Sequence, residues 1–191
     1  MPAKTTAVPT RQRILDATNQ LFYTQGIRAT SADKIIEAVG ITKVTFYRHF
    51  RSKNDLVVAY LQAHAEQESA WFSSLRDPKD PARSLDAIAT GIGAASCSPG
   101  FRGCAFINAA AEYSEAGDPV REVIDAHRGW MLGEFAAIAR DAGAEDSDAV
   151  ARQFMMLRDG GMVNGYLGEP AELADTLKRG FDAVLSAAIA S

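Results

Sequence analysis

Apolar residues recur along most of this chain at spacings of three and four, between short polar breaks rich in glycine, proline, serine and aspartate. That is the period of amphipathic helices. Strand-like alternation is almost absent and alanine is frequent, so the pattern predicts an all-α fold. A first helix runs through RQRILDATNQLFYTQG, with Thr10 as cap, a buried stripe of Ile14, Ala17, Leu21 and Phe22, and Gly26 as its stop. ADKIIEAV makes a second, with Thr30 and Asp33 as a capping arrangement and Gly40 at its end. A third starts at Thr42 and runs toward His49. A fourth begins near Ser52, with Asp55 three residues on, and continues toward Ser74. RDPKDPARS, residues 76–84, is a clear break. Further helices are predicted at about 82–95, 103–114, 119–141, 147–166 and 171–189, with Pro119 and Pro170 at first-turn positions.

The 191 residues suit one core plus a satellite. The net charge of -4 hides a division. Residues 1–56 carry nine Lys/Arg and four Asp/Glu, a net of +5; the remaining eleven Lys/Arg and twenty Asp/Glu give -9. A short basic module on a larger acidic body describes the chain better than its average. The expected division is a loose arm at 1–9, in which Lys4 is free to reach a partner, a helix-turn-helix module at 10–56, and a helical body at 57–191. The arm lacks the apolar core of a signal peptide, and no stretch reaches eighteen apolar residues. A cytoplasmic protein with no membrane partner is the expectation.

In ITKVTFYRHF, residues 41–50, aromatic and basic residues crowd together. Ile35, Ala38, Ile41, Val44 or Phe46, and Phe50 are the core candidates around the Gly40 turn. Thr42 would cap a helix whose first turn presents Lys43, Val44 and Thr45, with Tyr47 and Arg48 close behind. Two short helices about a glycine turn have helix-turn-helix geometry. A helix presented end-on with hydroxyls and cations fits the major groove of duplex DNA. A small helical subdomain with an ordinary amphipathic surface is the competing reading. The charge division, the cap and the turn together favour the first.

Residues 11–56 resemble the N-terminal DNA-binding domain of the TetR (TetR/AcrR) family of bacterial transcriptional regulators. ILDATNQLFYTQGIRATS, KIIEAVGITKVTFYRHF and SKNDL carry the resemblance, with Gly26, Thr30, Ser31, Ile35, Gly40, Tyr47, Phe50, Lys53 and Leu56 matching position by position. Ile36, Ala32 and Val44 depart from the usual Ala, Val and Gly. The resemblance implies that Tyr47, His49 and Lys53 touch the DNA backbone, and that Thr42, Lys43, Thr45 and Arg48 face phosphates or bases. Val44 would add an apolar contact to a thymine methyl. His49 as a packed residue that orders the turn is the competing reading.

FRGCAFINAAAEY and LRDGGMVNGYLG look like segments of the family's C-terminal domains, which bind an inducer and pair as homodimers. The pocket candidates are Phe106, Asn108, Glu112, Tyr113, His127, Trp130, Met131 and Phe154, which combine aromatic faces with a few polar groups. Each taken singly is more readily a core residue. His127 with Glu112 is a weak metal pair. On the last helix Leu173, Leu177, Phe181 and Leu185 form a ridge at four-residue steps. Ala183, Ala187 and Ala188 permit close approach, and Gly160 and Gly161 leave room for a partner backbone. An intramolecular core would show the same ridge.

The expected function is a homodimeric regulator of double-stranded operator DNA, a repressor released by a small-molecule effector, with no cofactor. No paired carboxylates, nucleophile triad, phosphate loop or metal cluster appears at motif spacing, so an enzyme is the weaker class. A thiol-based redox regulator using Cys97 and Cys104 is the other alternative. Ordinary reduced thiols are favoured over it, since Arg102 is the only charge the sequence places near Cys104.

Overall fold

The computed structural model describes residues 8–168 and 170–190. Lys4, expected on a reaching arm, lies outside them. Among the described residues every regular element is helical: α1 (Thr10–Gln25), α2 (Ala32–Val39), α3 (Lys43–His49), α4 (Lys53–Leu75), α5 (Pro81–Ser96), α6 (Ala105–Glu112), α7 (Pro119–Asp141), α8 (Ser147–Leu167) and α9 (Leu173–Ile189). A single 3-10 turn, Pro170–Glu172, leads into α9, so Pro170 opens that turn and not the α-helix itself.

The module's helices start where side chains can satisfy free backbone amides. Thr42 and Ser52 accept from the amides of Thr45 and Asp55, as the sequence predicts. Two caps differ. Thr10 is the first residue of α1, whose preceding Pro9 makes no side-chain cap. Ser31 caps α2, accepting from Lys34 N at 3.2 Å. Thr30 is buried instead, and its hydroxyl donates to the Gly26 carbonyl. The hydroxyl beside the cap thus closes the preceding turn. Gly26 and Gly40 end α1 and α2 at φ +89° and +70°.

Two apolar cores lie along α4. The first gathers Ile14, Phe22, Ile35, Phe46, Phe50, Leu56 and Tyr60 of the module, together with Cys104, Phe106 and Ala109 near α6 and Val120 and Ile124 of α7. Phe46, not Val44, is the core member of α3, and Ala38 is exposed. The second core joins Phe72 of α4 to Leu85, Ile88, Phe135, Phe154 and Phe181. Phe154 and Phe181 meet edge to face at 5.4 Å. Leu173, Leu177, Phe181 and Leu185 all belong to this second core. The α9 ridge therefore faces its own chain, and its side chains are not the contact surface the sequence suggested. Gly161 makes the same point. A Cβ there would sit 2.9 Å from Leu177 Cδ1, so its bareness admits a side chain of α9. Gly160 points into open space.

Candidate nucleic-acid interface and body cavity

α3 projects from the module because one residue, Phe46, anchors it at zero exposure while its other faces stay open. Val44 is 81% exposed and Tyr47 48%. The Thr42 and Thr45 hydroxyls lie 3.0 Å apart. Lys43 reaches back to Asp33 of α2 at 2.9 Å, and that bond raises its pKa. Both partners are about two-thirds exposed, a setting in which an ion pair contributes little, so the ammonium stays available to a phosphate. Arg48 is exposed. The sequence reading passed over two further cations, Arg11, whose guanidinium lies over the Phe50 ring at 5.2 Å, and exposed Arg51 beside it. Arg51 follows the third helix directly, whereas Arg11 opens α1 and only the fold brings it to Phe50.

Two expected DNA contacts are placed elsewhere. Lys53 turns inward: Nζ donates to the Ile27 carbonyl at 2.6 Å and lies over the Phe22 ring, and burial lowers its pKa. His49 is half-buried, and its Nε2 is enclosed without a protein partner among the described residues. That geometry supports the packed reading of His49.

The module is fastened to the body by α6 and the loop before it. Glu112 accepts from the backbone amides of Ile27, at 3.0 Å to Oε1, and Arg28, at 2.6 Å to Oε2. Arg28 returns a guanidinium bond to the Glu112 carbonyl. The Tyr23 hydroxyl donates to Gly103 O and accepts from Arg102 N, and Arg102 Nη1 donates to Thr24 O. Tyr113 donates to Asn54 Oδ1 at 3.3 Å. Glu112 and Tyr113, expected in an effector pocket, are thus junction residues. Asn108 lies with Glu112 along a cavity of about 240 Å³ at that junction, its amide donating to Arg102 O.

A second cavity, of about 280 Å³, lies in the body between α4, α5, α7 and α8. Its walls include Glu68, Trp71 and Phe72, with Ile88, Ile92, Met131 and Arg158. Of the eight expected pocket residues only Met131 lines it. His127 and Trp130 line an open groove between α4 and α7. Phe106 stacks on the His127 ring at 3.7 Å, and Phe154 lies in the second core.

Arg158 is only 5% exposed. Its Nη1 donates to Asp159 Oδ1 at 3.1 Å and its Nη2 to Glu68 Oε2 at 3.3 Å, while Arg128 holds the other Asp159 oxygen at 2.8 Å. His127 Nε2 pairs with the same Glu68 Oε2 at 3.0 Å. Burial pushes the Glu68 carboxyl up, but His127 and Arg158 outweigh it and hold it below its ordinary value. His127 therefore turns to Glu68, Glu112 serves the junction, and the two do not meet as a metal pair. Among the described residues no three potential ligands converge on a metal site. Both cysteines are free, Cys97 exposed and Cys104 buried. Arg158, which the sequence does not place near it, interacts with Cys104. The sequence held a signal for this site: Glu68, Trp71 and Phe72 share one face of α4 at i, i+3 and i+4, and Arg158 continues the buried stripe of Phe154.

Among the described residues no helix is long and apolar enough to cross a membrane. The model of the family described as "Bacterial regulatory proteins, tetR family" matches residues 14–60. The chain is 39% identical over 62 residues to the uncharacterized HTH-type transcriptional regulator YvkB of Bacillus subtilis, covering 32% of this chain and 33% of that one. It is 45% identical over 53 residues to the regulator AcrR of Shigella flexneri, covering 28% and 25%. The chain thus matches about a quarter to a third of these curated relatives' length. Similarity to a crystal structure of a TetR-family transcriptional regulator from Streptomyces coelicolor reaches further: 36% identity and a TM-score of 0.89, over 94% of this chain and 96% of that one. The charge division, the projecting α3 and the helical body with its cavity are therefore those of a DNA-binding regulator, and the chain belongs to the TetR family.

Proposed function

We propose that the protein is a homodimeric repressor that leaves its operator when a small organic molecule fills the cavity between α4, α5, α7 and α8. The observation that carries the reading is this cavity, apolar but for one buried charged wall, in a body that Glu112 and Tyr23 fasten to the DNA-binding module. Filling it displaces α4 or α7, both of which also enter the module's core. A ligand that favours one arrangement of the two modules lowers operator affinity by the same factor that DNA lowers ligand affinity.

DNA contact falls to the exposed side chains Thr42, Lys43, Val44, Tyr47 and Arg48 and the half-buried Thr45, with Arg11 and Arg51 also exposed. A duplex selected from a random library should bind, with an affinity that falls steeply as salt rises. Arg48→Ala should weaken binding and reduce the log–log salt slope by about 0.9 if it removes one phosphate contact. Gel-shift titration at several salt concentrations reads both numbers. A protein that selects no duplex would sink the proposal.

The dimer surface we propose is the outer side of α8 and α9. Met156, Gly160, Val163 and Leu167 follow one another at steps of four, three and four, and Met156 and Leu167 are 68% and 75% exposed. Beside them Thr176 and Ala183 are small and exposed on α9, which allows close helix approach, while Gly180 makes room for Leu157 of α8. Val163→Glu should then give a folded monomer by sedimentation equilibrium. Leu177→Glu should instead abolish the cooperative thermal transition, because it places a carboxylate in the second core. A dimeric Val163→Glu variant with native affinity would rule this face out.

A further inference from the structure

The geometry points to the chemical class of the effector: a small aromatic cation whose ammonium group donates to Glu68 Oε1. The inference rests on the effector reading above and deepens it.

Three features of the cavity carry it. The first is an unused acceptor. Both hydrogen bonds to Glu68, from His127 and from Arg158, fall on Oε2. Among the described residues Oε1 receives no donor, although Glu68 lines the cavity and its side chain is 25% exposed. A carboxylate oxygen at an apolar wall gains most from a charged donor.

The second is the balance of charge. Arg158 is the cation that a carboxylate ligand would seek. It is 5% exposed and its two terminal nitrogens already serve Asp159 and Glu68. Of the two carboxylates that this guanidinium serves, Glu68 lines the cavity and Asp159 does not, and Arg128 reaches Asp159 from outside with a side chain 36% exposed. An anion in the cavity would meet Glu68 at close range in a medium of low dielectric, whereas a cation would be attracted to it.

The third is the aromatic wall. Trp71 lies so tightly on α5 that a Cβ on Gly91 would fall 2.4 Å from its Cζ2, which fixes the indole beside the cavity. Indole is the best aromatic partner for an organic cation. At about 280 Å³ the cavity sits at the lower end of ligand pockets, a size suited to one or two fused rings.

One scaffold with three charges tests this: 1-naphthylmethylamine, 1-naphthylmethanol and 1-naphthoate. Each is titrated into the protein by calorimetry at neutral pH, and into a Trp130→Phe variant in which Trp71 is the remaining tryptophan. Affinity for the selected operator duplex is measured with each compound. The amine should bind at least tenfold more tightly than the alcohol, the naphthoate should bind most weakly, and Trp71 emission should change with the amine. Glu68→Gln should bring the amine down to the level of the alcohol. The charge series on the native protein stands on its own should that variant fold poorly. Equal binding of all three compounds with release of DNA would overturn the cationic class and leave the effector reading intact. Preferential amine binding with unchanged operator affinity would uphold the class and remove the effector reading. Failure of the amine to bind, or tighter binding of the naphthoate, would overturn the class.

Discussion

Arg158→Ala is expected to lower the free energy of unfolding by about 3–5 kcal/mol, the range for removing one partner of a buried ion pair. The reason is what remains. Glu68 and the Oδ1 of Asp159 lose their shared donor inside the body, and neither can turn fully to water. Replacing Glu68 and Arg158 together by Met should recover much of the loss, since it also removes the carboxylate that would otherwise keep His127 as its one partner. Urea denaturation followed by far-UV circular dichroism measures all three proteins. A loss under about 1 kcal/mol for Arg158→Ala would mean that the wall is solvated and the pair contributes little.

The same wall sets a dependence on acid. The Glu68 carboxyl is held below its ordinary value of 4.5, so its stabilisation is complete above that pH and is lost as pH falls through the folded value. The groups facing it are His127 from α7, Arg158 with Asp159 from α8, and His64 one turn earlier on α4. Burial lowers the His64 pKa, so that residue also costs stability in acid, but starting from about 6.5. The two windows separate them. Arg158→Ala should make the stability curve below about 4.5 shallower, the His127 bond still holding the larger part of the shift, and leave the slope between 5 and 6.5 as it was.

The second large effect is expected at Glu112. Glu112→Ala strips two charge-assisted bonds from the backbone amides of Ile27 and Arg28, each worth about 1.5–3 kcal/mol. The junction is partly open, so about 2–3 kcal/mol in total is the reasonable expectation. The cost should appear locally. Amide exchange at Ile27 and Arg28 should accelerate by about tenfold to a hundredfold, and amides within α7 and α8 should exchange as before. Glu112→Gln, which keeps a single oxygen acceptor, should fall between. Protection at Ile27 and Arg28 that survives Glu112→Ala would show that the module is held by Tyr23 and the shared core instead.

The module was largely legible in the sequence because its signals are local. Gly26, Gly40, Thr42 and Ser52 mark helix ends by their own backbone and hydroxyl chemistry, and they do so in the structure. The Thr30 and Ser31 pair was ambiguous, since either hydroxyl can cap and only the packing against Gly26 assigns the buried one. The body was legible as helices but not as a site. Residue type favoured His127 and Trp130, yet the walls of the cavity are decided by which helices meet, and α8 reaches α4 and α5 across a long sequence separation. The α9 ridge illustrates the limit. Its four-residue period announced a covered face, and nothing in the period said whether the cover was Phe154 of the same chain or a second copy.

The first core has a consequence for modular exchange. A graft of the DNA-reading head would be cut at the start of α4. In this protein Phe22 and Tyr60 pack in one cluster with Phe106, Ala109, Val120 and Ile124. A head transplanted at residue 56 would arrive without half of its apolar floor and without the Glu112 carboxylate that seats its first turn. A graft that retains specificity therefore has to carry α6 and the first turns of α7 with the head, or the receiving body must offer the same floor. What packs together here is a discontinuous unit, interrupted in sequence by all of α5.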